Sequence, residues 1–382
     1  MAEGDIIAID TLEFEAVSCE APDIIQVNDS IYLIAYRGGA GPDGWLKTFS
    51  IDANGTIAVI DTLIFEVLWG FGPAVAHISG DVYIVGYTGP DNDGWLKTFS
   101  VDSDGNIGAV IDSEEIDVAY GRTFRFYQLG GTVWLIAYQD VSDGWLKTLN
   151  IGNDGIFGAY VDTQKFDNTL CANPAPVHIS GDVFAIAYTG PDEDGFLKTW
   201  VVQSDGAIDG VMTGFLEFDN VFCYAPQMRH ISGEVYAIAY QGVPSGAATG
   251  RGYIKTVTIA DDGTIGAIID TFQYTHGQKG ANVSAIIPIS GNVYALAVTS
   301  LGDQGFLVTV TIRDDGQIDE PLEDELIFDP IRGAVPELIH TVYGVFAVAY
   351  SGPDGDGYLK TFNIERAIIP TVQTLPATEI KR

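Results

Sequence analysis

A chain of 382 residues is longer than a single compact core usually requires, and its 47% hydrophobic, 11% aromatic and 18% charged residues exclude a disordered polypeptide. Its 52 acidic and 18 basic residues give a formal charge of -34, which repels nucleic acid and anionic membrane surfaces and excludes both as general partners. No stretch approaches the roughly 18 apolar residues that a membrane-spanning helix needs, so no direct membrane insertion is expected.

The opening Met1-Ala2-Glu3-Gly4-Asp5 lacks the basic and apolar regions of a signal peptide, which leaves a cytoplasmic protein or an export signal lying outside this sequence. Residues 6–14 (Ile-Ile-Ala-Ile-Asp-Thr-Leu-Glu-Phe) repeat the text of residues 57–65 (Ile-Ala-Val-Ile-Asp-Thr-Leu-Ile-Phe). Further on, Gly-aromatic-Leu-Lys-Thr or a close variant begins at Gly44, Gly94, Gly144, Gly195, Gly252, Gly305 and Gly357, at spacings of 50, 50, 51, 57, 53 and 52 residues. Each copy divides into four strand-length runs with period-two alternation, separated by turn residues. The second reads Ala74–Ile78, Val82–Tyr87, Trp95–Val101 and Ile107–Asp112, with Asp104-Gly105 placed for a two-residue type I′ hairpin.

Four antiparallel strands in each of seven periods predict an all-β, seven-bladed β-propeller over residues 1–368, closed by the N-terminal strand joining the last blade. Residues 369–382 form a tail or linker. Within it, Pro370-Thr-Val-Gln-Thr-Leu-Pro-Ala-Thr-Glu-Ile380 resembles the opening of a fibronectin type III-like domain of multidomain surface proteins. That resemblance implies a monomeric domain of a larger extracellular or cell-surface chain. Cys19, Cys171 and Cys223 fall at one repeat position, too far apart in different blades to bridge, and are expected as free core side chains.

Ligand recognition is expected where the copies differ. The connections between blades are the most varied segments, and they supply Trp69, Phe71, Tyr120, Arg122, Phe222, Tyr224, His276, Lys279 and Arg332. Aromatic faces stack on sugars or apolar side chains, and the basic groups suit a carboxylate or sulfate. The loop Gly-Pro-Asp-x-Asp-Gly brings Asp91 with Asp93, Asp192 with Asp194, and Asp354 with Asp356, oxygen pairs of the kind Ca²⁺ uses, although ordinary turn chemistry also favours Asp before Gly. His77, His178, His230 and His340 share a register that either rings a channel or bonds the adjoining turn, and the Gln26, Gln128 and Pro288 of other copies favour the turn. The repeated Lys47, Lys97, Lys147, Lys198, Lys255 and Lys360 must be paired or snorkel, and Asp10, Asp61, Asp112, Asp162 and Asp270 are candidate acid partners that could equally bond the cross-strand threonine. No nucleophile elbow, phosphate loop or zinc-protease helix occurs. These features predict a non-catalytic binding or adhesion module for a glycan or protein, against a polysaccharide lyase or glycosidase, or a structural spacer.

Overall fold

The computed structural model describes residues 4–210, 213–243, 250–275, 282–283, 286–300, 302–341 and 344–365. They form seven antiparallel sheets arranged as the blades of a ring, with no α-helix among them. Blade 1 runs Cys19–Gln26, Ile31–Gly38, Asp43–Ile51 and Ile57–Glu66 from the channel outward, and blades 2 to 5 repeat this order. In blade 6 the inner strand is split into Asn282–Val283 and Ile287–Ser290. Blade 7 takes its outer strand from the N-terminus, Ile6–Glu15 pairing with Gly357–Ile364. The tail resembling a fibronectin type III-like opening lies outside the described residues.

The core lies between blades. Second strands such as Val183–Thr189 are buried along their whole length because a neighbouring sheet covers each face, which explains their unbroken apolar text. Except at Gly94, where the outer strand carries Ile116, the glycine opening each Gly-aromatic-Leu-Lys-Thr segment leaves room for an aromatic ring of its own blade: a Cβ at Gly195 would sit 2.5 Å from Phe218, and one at Gly144 2.3 Å from Phe166. Those rings then meet a tyrosine of the next blade edge-on, with centroids 5.1 to 5.5 Å apart in the Phe14–Tyr36, Phe65–Tyr87, Phe166–Tyr188 and Phe218–Tyr240 pairs.

The repeated lysine clamps adjacent blades. In six blades its Nζ donates to a main-chain carbonyl on the preceding blade's outer strand, at Phe14, Phe65, Ile116, Phe166, Phe218 and Phe328, over 2.5 to 2.9 Å. The residue after that carbonyl is the acid: Glu15, Glu66, Asp117, Asp167 and Asp219 lie 2.7 to 3.9 Å from their lysines, and Asp329 stands beside Lys360. Each acid also accepts a tyrosine hydroxyl of the lysine's own blade at 2.5 to 3.2 Å, from Tyr36, Tyr87, Tyr138, Tyr188, Tyr240 and Tyr350.

The five aspartates that are candidates for pairing with lysine or with the cross-strand threonine use their carboxylates elsewhere. Asp10, Asp61, Asp112, Asp162 and Asp270 accept the backbone N–H of Ile57, Ile107, Phe157, Ile208 and Ile318 on the next blade, at 2.8 to 3.0 Å. The lysine extends toward the strand end, five residues further on. The threonine after each lysine reaches forward, donating to a glycine carbonyl of the next blade's outer hairpin: Thr48 to Gly105, Thr98 to Gly155, Thr148 to Gly206, Thr199 to Gly263 and Thr256 to Gly316, with Thr309 to Gly4 and Thr361 to Gly55 completing the circle.

Two further expectations resolve here. The Asp-Gly hairpins are not type I′, because only the glycine has positive φ, as at Gly105 (87°). Asp102 instead closes the turn with its side chain, accepting the N–H groups of Asp104 and Asn106. The histidines bond the turn: His77, His178 and His230 donate through Nε2 to Gly80, Gly181 and Gly233 at 2.7 to 2.8 Å, and Gln128 does the same to Gly131.

At the interface between blades 5 and 6 the whole clamp is replaced. Val308, Val298 and Thr275 stand where the other interfaces have lysine, tyrosine and acid. Losing one member alone would strand a buried charge, so the three change together. Lys198→Val should therefore lower the urea-unfolding free energy by about 3 kcal/mol, since Asp167 keeps its burial and loses its cation. Adding Tyr188→Val and Asp167→Thr should recover most of that loss; a triple variant as unstable as the single one would contradict the clamp's acting as a unit. Burial alone would raise the Asp167 carboxyl, but hydrogen bonds from Lys198, Thr169 and Tyr188 outweigh it and hold it at about 2. The group is depressed, so its contribution is present above the unfolded value of about 3.9 and lost as pH falls through the folded one. Acid unfolding of Asp167→Asn should show a shallower pH dependence over that window than wild type.

Candidate functional site

Each inner strand begins at the interblade connection, and in blades 1 to 5 and 7 the ladder is bulged near that end. The register slips between Glu20 and Asp23, Phe71 and Ala74, Arg122 and Arg125, Ala172 and Ala175, Tyr224 and Gln227, and Ala334 and Glu337. Inside each bulge one residue is left-handed: Ala21, Gly72, Thr123, Asn173, Ala225 and Val335, with φ between 46° and 55°. For β-branched Thr123 and Val335 this conformation is strained by about 1–3 kcal/mol each. Proline follows in five of the six, at Pro22, Pro73, Pro174, Pro226 and Pro336.

These bulges surround a cavity of about 430 Å³ at the mouth of the central channel. The cavity opens on the face of the interblade connections, and blades 1, 2, 3, 4, 5 and 7 all contribute to its wall. The residue two places after the left-handed one is Asp23, Ala74, Arg125, Ala175, Gln227 or Glu337, and the four polar ones among them line the cavity. Asp23 Oδ2 accepts the Val75 N–H at 2.7 Å, and Arg125 Nη1 donates to the Phe124 carbonyl at 2.9 Å. Burial pushes the Glu337 carboxyl up to about 8, the charge of Asp23 adds to the rise and Arg125 offsets part of it. The Asp23 carboxyl is raised as well, by burial first, against the Val75 N–H and Arg125.

Beside the mouth, blades 1 to 3 build an alternating stack of rings and cations. The Arg37 guanidinium lies 4.8 Å from the Trp69 ring centroid and 5.7 Å from Phe71; Arg122 lies 4.8 Å from Phe71 and 5.2 Å from Tyr120. Arg37 is ion-paired with Glu20. Among the described residues no carboxylate lies within 4.0 Å of the Arg122, Arg125 or Arg332 guanidinium, and Nε of Arg122 and of Arg332 is buried without a hydrogen-bond partner.

The structure thus brings Trp69, Phe71, Tyr120 and Arg122 together and places Tyr224 on the channel wall. Phe222 stays in its connection, its N–H bonded to Asp219 at 3.2 Å, and Arg332 leans toward Gly355 of the blade-7 loop. His276 and Lys279 lie outside the described residues. The three Asp-x-Asp loops are tight turns in which Asp91, Asp192 and Asp354 are left-handed, at φ 58° to 60°. Asp93 sits against Glu115, whose carboxyl is raised by desolvation and by that neighbour, and Asp194 sits against Glu217 with the same result. No group of three carboxylate, His or Cys side chains placed to hold a metal occurs among the described residues.

Sequence reading missed Arg37, Asp23, Arg125 and Glu337. The signal was present in the repeat: Arg37 replaces the Thr, Gln or Ser of other blades after the second-strand aromatic, and the residue after the inner-strand proline changes from acid to amide to alanine.

No family model and no curated protein matches the chain. Among solved structures it is similar to the WD40 domain of Toxoplasma gondii coronin (TM-score 0.59, 10% identity, 96% of this chain and 89% of that one). It is also similar to a putative 6-phosphogluconolactonase of Bacteroides fragilis (0.56, 13%, 87% and 96%) and to a periplasmic gluconolactonase of Pseudomonas aeruginosa (0.54, 11%, 80% and 85%). At these identities the likeness is one of fold, and it places the chain among the β-propellers.

The Glu337 carboxyl supplies a pH signature. Its folded value lies above the unfolded one, so between about 4.3 and about 8 the native state holds a proton that the unfolded chain has released. Unfolding free energy should therefore fall as pH rises through that window, and Glu337→Gln should flatten the slope; an unchanged slope would mean that Glu337 is ionised in the channel.

Proposed function

We propose that the chain is a non-catalytic binding module that takes an acidic glycan on the channel-mouth face. The observation that carries this reading is Arg122, a guanidinium flanked by Phe71 and Tyr120 and free of any carboxylate within 4.0 Å among the described residues, in a chain of net charge -34. A cation kept unpaired against so many acids is available to a sulfate or uronate, while Trp69 and Tyr120 offer ring faces to the sugar. In this reading the module works as a monomeric part of a larger secreted or cell-surface protein, and Ca²⁺ at the Asp-x-Asp loops is a structural accessory. A hydrolase or lyase is the second reading, favoured by the two carboxyls, Asp23 and Glu337, that share the channel.

A glycan array with and without chelator, followed by calorimetry, tests both. Sulfated or uronic-acid chains should bind, more weakly as salt rises, and Trp69→Ala or Arg122→Ala should cost about ten-fold in Kd. Absence of any acidic binder, or affinities indifferent to both substitutions, would overturn the proposal; release of shortened or unsaturated products would establish the second reading.

A further inference from the structure

The channel mouth holds groups that the aromatic stack does not use. Asp23 and Glu337 come from adjacent blades 1 and 7, Arg125 from blade 3, and all three line one cavity. Arg125 makes no ion pair within 4.0 Å among the described residues, so acids and base stand apart across open space. Arg125 uses one N–H on the Phe124 carbonyl, which leaves four of the five guanidinium donors. A guanidinium only donates, an ionised carboxylate only accepts, and a carboxyl that holds its proton, as Glu337 does up to about 8, both donates and accepts. The uncharged group that satisfies both at once is a pair of neighbouring hydroxyls, each able to donate to one side and accept from the other. Gln227 adds an amide with both capacities, and Phe126 and Tyr224 add ring surface on the same wall. The volume falls within the roughly 300–1,000 Å³ of small-molecule sites, and its place at the mouth of the central channel admits a polymer by its end.

We propose that this cavity seats one terminal sugar ring, whose adjacent hydroxyls hydrogen-bond the Asp23 and Glu337 carboxyls and accept from Arg125. The inference rests on the glycan reading and gives it a polarity: the acidic chain lies along the Arg37–Arg122 stack and its neutral end enters the channel.

Saturation-transfer NMR on the full chain, with a panel of neutral hexoses, N-acetylhexosamines and their methyl glycosides, tests it. At least one sugar should be saturated by wild type, and its Kd should weaken about ten-fold or more in Asp23→Ala and in Glu337→Ala. Gly72→Trp provides a plug on the same cavity wall that leaves both acids in place. A Cβ at Gly72 meets nothing within 4 Å, and although its φ of 55° strains a side chain, Thr123 and Val335 carry theirs in the same conformation. This variant should fold and lose the signal, while His77→Ala, bonded to its own turn on the opposite face, should keep it. No saturated sugar in the panel, or a signal that survives Gly72→Trp, would overturn the inference. Acidic-glycan affinity retained in Gly72→Trp would remove the channel subsite and leave the stack reading intact, whereas neutral-sugar binding without any acidic binder would support the subsite and remove that reading.

Discussion

A lysine buried between two β-sheets is the constraint on which this ring depends. Leaving its ammonium unpaired would cost several kcal/mol, and the chain answers with a carbonyl, an acid and a tyrosine at every interface that carries the lysine. The acid and the carbonyl come from the preceding blade, the lysine and tyrosine from the next, so no blade can satisfy its own charge. Threonine hydrogen bonds run the opposite way around the circle, and the same logic closes it: Lys47 depends on Phe14 and Glu15 of the N-terminal strand, and Thr309 on Gly4. Between blades 5 and 6, Val308, Val298 and Thr275 form the alternative solution, in which all members become uncharged together.

That frame fixes the inner strands, and the inner strands make the site. In blades 1 to 5 and 7 a bulge lifts one residue into the left-handed region at the channel mouth, and in all of these but blade 4 the second residue after it lines the cavity. Because the bulge recurs around the ring, it belongs to the scaffold. What differs from blade to blade is the side chain it presents: aspartate, alanine, arginine, alanine, glutamine and glutamate. Arg37, Trp69, Phe71, Arg122 and Tyr120 similarly use equivalent positions of a repeated frame to assemble a stack that exists on one side only. A symmetric scaffold thus carries an asymmetric surface without any change in backbone plan.

The seven periods, their strands and the ring closure were legible because they are written in repetition, and the histidine register was legible because Gln can replace His as a donor to a turn carbonyl but could not replace it in a ring of imidazoles. The acid partner of the lysine was not. Asp10 and its equivalents are aligned with the lysine's neighbours in the sequence, but lysine is long enough to pass them and reach Glu15 near the strand end, and no repeat pattern reports side-chain reach. The hairpin type was misread because Asp-Gly fits more than one turn, and the side chain of Asp102 selects among them. Trp69, Phe71, Tyr120 and Arg122 stood out as departures, yet only the fold shows that they touch. Asp23, Arg125 and Glu337 were hidden as ordinary strand residues, since nothing in a single strand's text says that its partner face is an open channel.

The central claim is that residues recurring around the ring hold the fold and residues breaking the repeat bind the ligand. The direct measurement is a paired scan in which every variant of both sets is assayed for unfolding free energy and for the affinity of its folded fraction for an acidic glycan. Substitutions at Lys97, Thr148 and Lys198 should lower stability and leave that affinity unchanged, while those at Trp69, Tyr120 and Arg122 should lower that affinity and leave stability unchanged. Affinity that simply follows stability across both sets would contradict the account.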